Sequence, residues 1–255
     1  MATVAAPVRL DGAIALVTGA GRGIGVEIAR LLAAEGASVA LSYRTSRAGA
    51  EDAAERIRVA GGAAIPLQAD LTVAADAERL VRETRETLGG LDILVNCAAG
   101  FGPAKSLVDA TWEEVDREWE DVVSPVVHVT RAALPHLIAQ KRGRIVNLCA
   151  TLVRRPASGY GAHTMAKAAV LAYTRTLAKE VGPHGVTVNA VSPGMTLTDF
   201  TLSLPESVRE GVAARTPLRR LAGPEDVARA VLLFCSPWAD FITGAELAPD
   251  GGLAL

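Results

Sequence analysis

The sequence predicts an α/β fold built on a single doubly wound parallel sheet with helices on both faces. Short segments that are apolar on both sides alternate with segments of helical length along almost the whole chain, as expected for a covered parallel sheet. Glycines end the first three helical segments, and no linker rich in proline and serine divides the 255 residues. We therefore expect one domain that covers residues 1–255.

The elements follow from local patterns taken in chain order. An apolar run at 13–17, ended by Thr18-Gly19, predicts the first strand. Ile24, Ile28 and Leu31 then recur at helical spacing until Gly36, which predicts the first helix. The same patterns predict further strands at 39–41, 65–67, 93–95, 145–148 and 186–191, and further helices at 47–59, 76–88, 112–136 and 163–181. In such a sheet the ligand binds beyond the carboxyl ends of the strands.

The charge of the chain is nearly balanced, with 26 Lys and Arg residues against 28 Asp and Glu residues and a formal net charge of -2. No basic stripe is present to attract a phosphate backbone, so nucleic acid is not an expected partner. The N-terminal segment lacks the pattern of a signal peptide, and no apolar stretch of membrane-spanning length stands out. We expect a cytoplasmic protein without a membrane partner.

Cysteine and histidine positions do not predict a metal site. The cysteines are Cys97, Cys149 and Cys235, whose separation fits neither a zinc spacing nor an even set of disulfides. Three of the histidines, His128, His136 and His184, also lack the spacing of metal ligands. We therefore expect no metal.

A glycine-rich turn, TGAGRGIG at residues 18–25, lies between the first predicted strand and the first predicted helix. Backbone N–H groups and the N-terminus of a helix in this position bind a pyrophosphate, and glycines remove the side chains that would block its approach. The turn predicts a dinucleotide site that includes Gly19, Arg22, Gly23, Ile24 and Gly25.

Several motifs together resemble the short-chain dehydrogenase/reductase (SDR) family. They are the glycine-rich turn, Asp70-Leu71, the NCAAG segment at 96–100, the NAVSPG segment at 189–194 and the DGG segment at 250–252. They occur in the order and spacing of the family along nearly the whole chain. The resemblance implies a Rossmann-like fold and cofactor contacts at Asp70, Leu71, Asn96, Ala98, Pro193, Gly194 and Thr196.

The end of the second predicted strand bears on the choice of cofactor. An acidic residue there would accept a hydrogen bond from a ribose 2′-hydroxyl and repel a 2′-phosphate. The chain instead has Tyr43-Arg44, and Arg22 in the glycine-rich turn adds a second cation. Both arginines can form charge-assisted hydrogen bonds to the 2′-phosphate of NADP, so NADP(H) is the predicted cofactor.

The catalytic positions depart from the SDR pattern. The family usually has a Tyr four residues before its Lys, a Ser 13 residues before that Tyr, and an Asn on the long preceding helix. In this chain Lys167 remains, while His163, Ala150 and Val122 occupy the other three positions. Pro125 follows Val122 and cannot donate a hydrogen bond to the carbonyl of Asp121.

Two residues are candidates for the missing proton donor, and the resemblance implies that Lys167 holds the nicotinamide ribose. Tyr160 lies seven residues before Lys167, which is similar to the enoyl-thioester reductases of this superfamily and favours reduction of a conjugated C=C bond. His163 occupies the usual Tyr position, and an imidazole transfers protons near neutral pH. The sequence leaves both candidates, and both C=O and C=C reduction, open.

The segment at about 195–220 lies where the family has its substrate lid, and its apolar residues favour a fatty-acyl or polyketide-like substrate. The resemblance also implies a homo-oligomer, a tetramer or dimer formed through the two long helices and the last strand. The alternatives to a reductase are a non-redox protein of this fold, such as a cyclase, dehydratase or isomerase, and an inactive nucleotide-binding partner subunit.

Overall fold

The computed structural model describes residues 9–100 and 102–255. Its strands are β1 (Ile14–Val17), β2 (Ser38–Tyr43), β3 (Ala63–Gln68), β4 (Ile93–Asn96), β5 (Gly143–Leu148), β6 (Val186–Val191) and β7 (Glu246–Leu247). Its helices are α1 (Gly23–Ala34), α2 (Arg47–Val59), α3 (Ala74–Leu88), α4 (Trp112–Ala139), α5 (Gly161–Val181), α6 (Asp199–Leu202), α7 (Glu206–Arg215) and α8 (Pro224–Cys235). Short 3₁₀ turns lie at Thr151–Val153, Gly182–His184 and Pro237–Ala239.

The seven strands form one parallel sheet in the order β3-β2-β1-β4-β5-β6-β7. The chain winds outward from β1 to β3, then crosses back and continues outward from β4 in the opposite direction. β1 and β4 are therefore neighbours, with Val17 paired to Val95 at their carboxyl ends. The crevice between the carboxyl ends of two such strands is the usual ligand site of this architecture.

Helices cover both faces of the sheet, because successive side chains of each strand point to opposite faces. On one face Ala15 and Val17 of β1 pack with α1, α2 and α8. On the other face Leu16 packs with α3, α4 and α5. Strands buried on both sides produce the continuous apolar runs of the sequence. The predicted doubly wound α/β fold is confirmed.

Differences from the sequence-based elements lie mostly at the ends. The predicted helix at 47–59 and the predicted strand at 186–191 have the observed bounds. Most other elements extend one to three residues further than predicted, because short apolar runs mark the buried centre of an element better than its ends. The lid segment contains α6 and α7, and α8 follows it; none of these three helices is predicted by the sequence analysis.

The longest helix, α4, begins with a capping box in which Thr111 and Glu114 satisfy each other's backbone N–H groups. By length and composition alone this helix is long and apolar enough to cross a membrane. In the structure it packs against α3 and α5, and buried residues such as Val126 and Val129 face the sheet. The core helix of a globular fold passes the same test of length and composition.

Buried polar side chains connect the centre of the sheet to α4 and α5. Asn96 Nδ2 donates hydrogen bonds to Asn147 Oδ1 at 2.8 Å and to Thr130 Oγ1 at 3.0 Å. Asn147 Nδ2 donates in turn to Thr174 Oγ1 at 2.8 Å, and that hydroxyl donates to the carbonyl of Val170. A chain of hydrogen bonds therefore fixes the two helices above β4 and β5, next to the strand ends.

We predict that Thr174→Val lowers the free energy of unfolding by about 1–3 kcal/mol, because the isosteric change leaves the buried amide of Asn147 without its acceptor. Urea denaturation measures this effect. The matched control is Thr176→Val, two residues further along α5 at an exposed position, which should change stability by less than about 0.5 kcal/mol. Equal losses from the two substitutions would contradict a structural role for this hydrogen-bond chain.

Candidate active site

The glycine-rich turn between β1 and α1 packs closely against the chain that leaves β4. Gly19 has a positive φ of 66°, and a Cβ added there would lie 2.8 Å from Ala98 Cα. A Cβ on Gly25 would lie 2.3 Å from the carbonyl oxygen of Gly19. Side chains at these two positions would occupy the space that the turn needs, so the glycines shape a shallow backbone cradle at the start of α1.

Thr18 connects this turn to β4. Its Oγ1 accepts hydrogen bonds from the backbone N–H groups of Cys97 and Ala98, both at 3.0 Å, and the hydroxyl lies 3.4 Å from the carbonyl of Val95. The side chain is fully buried. One hydroxyl therefore fixes the ends of two neighbouring strands where the direction of the sheet reverses.

A cavity of about 620 Å³ lies directly above these strand ends. The sequence-predicted residues that line it are Gly19, Arg22, Gly23, Ile24, Gly25, Arg44, Asp70, Leu71 and Ala98. The cavity has the size of a cofactor site, and its floor is the backbone cradle next to the N-terminus of α1. These residues fit a dinucleotide, with the pyrophosphate at the turn. Their roles as cofactor contacts stay predictions.

Both arginines predicted to bind a 2′-phosphate lie on this cavity. Arg22 is exposed at its rim, and Arg44 is about half exposed at the end of β2. In the structure Arg44 Nη1 lies 3.2 Å from Asp121 Oδ1 and 4.0 Å from Asp70 Oδ1. Surface pairs of this kind contribute little and are readily exchanged, so Arg44 remains available to an anionic ligand.

Asp121, a cavity residue that the sequence analysis did not select, lies on α4. Pro125 has no N–H for the Asp121 carbonyl, and that carbonyl instead accepts a hydrogen bond from Gly100 N at 3.2 Å. The helix is thereby attached to the chain that leaves β4, with the Asp121 carboxylate towards Arg44. The sequence signal was Pro125, which identifies the carbonyl that needs a partner from outside the helix.

Lys167 is buried on α5, with 5% of its surface exposed. Its Nζ donates a hydrogen bond of 2.7 Å to the carbonyl of Leu148 at the end of β5. Burial lowers the pKa of this ammonium group, although nearby groups, among them Glu118, act in the opposite direction. The structure thus places the lysine predicted from the sequence at the carboxyl end of the sheet, where its ammonium group contacts the carbonyl of the last residue of β5.

His163 lies one helical turn before Lys167 on the same side of α5 and is also buried. Its Nδ1 is 2.9 Å from Glu118 Oε2, and Glu118 comes from the neighbouring helix α4. Tyr160, the other candidate acid, occupies the position before the first residue of α5 and is partly buried. The structure therefore brings the three predicted catalytic residues to one end of α5, together with a carboxylate that sequence reasoning missed.

Two of the three missing family residues are replaced by apolar residues, and two cysteines lie near the same strand ends. Val122 is fully buried, and Ala150 is the second residue after β5. Burial raises the pKa of Cys149 to about 12 and that of Cys97 to about 11. Both thiols are therefore protonated near neutral pH and are poor nucleophiles.

The remaining predicted contacts lie outside the lining of the cavity. Asn96 uses its side chain within the sheet, as described above, and Thr196 Oγ1 donates to the carbonyl of Gly194. The carbonyl of Pro193 accepts a hydrogen bond from Thr151 N at 3.0 Å. Their cofactor roles stay predictions. Over residues 9–100 and 102–255, no group of three or more His, Cys, Asp or Glu side chains is arranged to hold a metal.

Comparison with known proteins agrees with this geometry. A family model described as enoyl-(acyl carrier protein) reductase matches residues 19–254. The 3-oxoacyl-[acyl-carrier-protein] reductase of Staphylococcus aureus strain Mu50 is 34% identical over 94% of this chain and 97% of its own length. The chain belongs to the short-chain dehydrogenase/reductase family.

Solved SDR structures share the complete fold. A short chain dehydrogenase from Burkholderia cenocepacia, in complex with NADP, has a TM-score of 0.89 and 36% identity, covering 97% of this chain and all of its own. A 7α-hydroxysteroid dehydrogenase complexed with NADH and 7-oxo glycochenodeoxycholic acid has a TM-score of 0.91 and 33% identity, covering 96% of this chain and 95% of its own. As a member of the SDR family, the chain is an oxidoreductase of the reductase type.

Proposed function

We propose that this SDR protein is an NADPH-dependent reductase that converts the carbonyl of an apolar, 3-oxoacyl-like substrate into an alcohol. The observation that carries the proposal is the cavity above β1 and β4, which combines a glycine cradle with Arg22 and Arg44. The Burkholderia relative in complex with NADP and the 3-oxoacyl reductase relatives support it.

The proposed cofactor contacts follow from the cavity. The backbone at Gly23 and Ile24 lies at the start of α1, where a pyrophosphate is favoured by the helix dipole and the N–H groups. Arg22 and Arg44 would bind the 2′-phosphate, and Asp70 lies beside them at the end of β3. Lys167 would donate to the nicotinamide ribose from its buried position.

The chemistry divides between cofactor and protein. A bound NADPH supplies the hydride that reaches the carbonyl carbon. The protein must supply one proton to the carbonyl oxygen, and we propose that His163 does so, because its Nδ1 is paired with the largely buried carboxylate of Glu118. The nearby charge of Lys167 stabilises negative charge that develops on the oxygen. Solvent then returns a proton to the imidazole.

Exposed apolar side chains in the lid segment support the proposal of an apolar substrate. Phe200 and Leu202 of α6 and Val208 of α7 are each 41% to 55% exposed. Phe200 also lines the cavity, so the lid at 195–220 borders the cofactor pocket directly. Exposed apolar side chains on a lid would be covered by an acyl chain when a substrate binds.

Reduction of a conjugated C=C bond is the second candidate, favoured by Tyr160, which lies seven residues before Lys167. Incubating the purified protein with NADPH and either a 3-oxoacyl or a 2-enoyl thioester separates the two reactions by their products. Product without consumption of NADPH would instead support a non-redox protein. Binding without turnover of either thioester would support an inactive partner subunit.

We predict that Arg44→Ala weakens NADPH binding by about tenfold and leaves NADH binding nearly unchanged, because only NADPH has a 2′-phosphate to pair with the guanidinium. Fluorescence titration with each nucleotide measures both dissociation constants. Arg56→Ala, which removes an exposed arginine of α2 away from the cavity, is the control. An equal loss for both nucleotides would refute the assignment of the 2′-phosphate to Arg44.

We predict that His163→Gln lowers kcat about 10²- to 10⁴-fold, the usual contribution of a positioned acid, whereas Tyr160→Phe has a much smaller effect. Steady-state kinetics at saturating NADPH measure both variants on the substrate that the wild-type protein reduces. The opposite ranking would transfer the acid role to Tyr160. Full activity of both variants would remove both residues from the mechanism.

We also propose a soluble, cytoplasmic homo-oligomer, a dimer or tetramer. Trp119 on α4, Met165 on α5 and Trp238 in the turn before β7 are about half exposed, and Ile242, also before β7, is about one third exposed. These surfaces coincide with the helices and strand through which the family is expected to associate. Sedimentation velocity at micromolar concentration should show a species of at least two chains, and a monomer would contradict the proposal.

A further inference from the structure

The carboxylate of Glu118 is held by two hydrogen bonds that do not belong to its own helix. Its Oε2 lies 2.9 Å from His163 Nδ1 on α5. Its Oε1 accepts a hydrogen bond of 2.9 Å from Gly102 N, in the segment that connects β4 to α4. The side chain is only 13% exposed. Both oxygens therefore have defined partners in a partly dry environment.

The ionisation state of Glu118 determines which ring nitrogen of His163 carries the hydrogen. Burial alone would raise the pKa of Glu118, but the hydrogen bonds from His163 and Gly102 and the charges of His163 and Lys167 together lower it. Glu118 is thus an ionised carboxylate near neutral pH. An ionised carboxylate only accepts hydrogen bonds, so Nδ1 of His163 must be the donor.

This arrangement has a consequence for proton transfer. With Nδ1–H donated to Glu118, the second ring nitrogen, Nε2, is the one that gains or loses a proton. A tyrosine at position 163 would need no such partner, because its phenol has one oxygen and no choice of tautomer.

We propose that Glu118 is a positioning residue that fixes the tautomer of His163 through the hydrogen bond at Nδ1. The inference rests on the proposed function, in which His163 is the acid. A carboxylate from α4 and an imidazole on α5 thereby replace the tyrosine that this family uses in the same place.

A purely structural role for Glu118 would be to anchor the segment that follows β4. That segment has other attachments: Lys105 Nζ pairs with Glu114 at 2.7 Å, and Lys105 N donates to the carbonyl of Gly159 at 2.8 Å. The segment is therefore connected both to the start of α4 and to the turn before α5 without Glu118. Loss of the contact between Glu118 and Gly102 would therefore leave the segment attached at these two other places.

The substitution Glu118→Gln tests the proposal sharply because of Gly102. A backbone N–H can only donate, so it selects the amide oxygen of the glutamine, and the amide NH₂ then faces Nδ1 of His163. His163 would have to accept there, which moves its hydrogen to Nε2. Long-range ¹H–¹⁵N NMR of protein labelled at its 4 histidines reports the tautomer, and His163→Gln assigns the signal.

In the wild-type protein, at a pH where the ring is neutral, we expect the Nδ1–H tautomer of His163. In Glu118→Gln we expect the Nε2–H tautomer. The matched control is Glu120→Gln, the same change two residues further along α4 at an exposed position, which should leave the signal unchanged. An Nε2–H tautomer in the wild-type protein overturns the proposal without any variant, and an unchanged tautomer in Glu118→Gln also overturns it.

Kinetics provide the second readout. Glu118→Gln should lower kcat about 10- to 100-fold with little change in KM, and it should have almost no further effect when added to His163→Gln. Full additivity of the two substitutions would show that Glu118 acts independently of His163 and overturn the positioning role. Absence of any reductase turnover in the wild-type protein would reject the proposed function instead, while the NMR measurement would still decide the pairing.

Discussion

Parallel pairing of β1 with β4 brings the glycine-rich turn next to the chain that leaves β4. The backbones meet so closely that Gly19 has no space for a side chain beside Ala98. The hydroxyl of Thr18 accepts hydrogen bonds from the backbone N–H groups of Cys97 and Ala98, which follow β4. The two halves of the sheet wind away from this line in opposite directions. A cavity opens there because no helix can cross the ends of both strands.

Helix α4 serves both ends of that site. Asp121 faces Arg44 at the nucleotide end, and Glu118, three residues earlier and on the same side of the helix, faces His163 at the reaction end. The same two residues hold the chain that leaves β4, through the carbonyl of Asp121 to Gly100 and the carboxylate of Glu118 to Gly102. The proposed cofactor pocket and the proposed pair of Glu118 and His163 therefore share one support.

The reaction end differs from the usual family arrangement in how charge is balanced. Lys167 is buried and loses hydration, so its ammonium group depends on the Leu148 carbonyl and on negative charge nearby. Glu118 supplies such charge while it is paired with His163. The lysine, the histidine and the carboxylate form one electrostatic unit, in which removal of any member changes the environment of the other two.

The sequence by itself determined the α/β class, the glycine-rich turn and the close spacing of Tyr160, His163 and Lys167 along the chain. These depend on local spacing, which a linear pattern records. Only the tertiary structure decided that Glu118 partners His163 and that Asp121 partners Arg44. Those contacts join residues 45 and 77 positions apart, and whether two side chains so distant along the chain meet depends on how α4 packs, which local patterns do not encode.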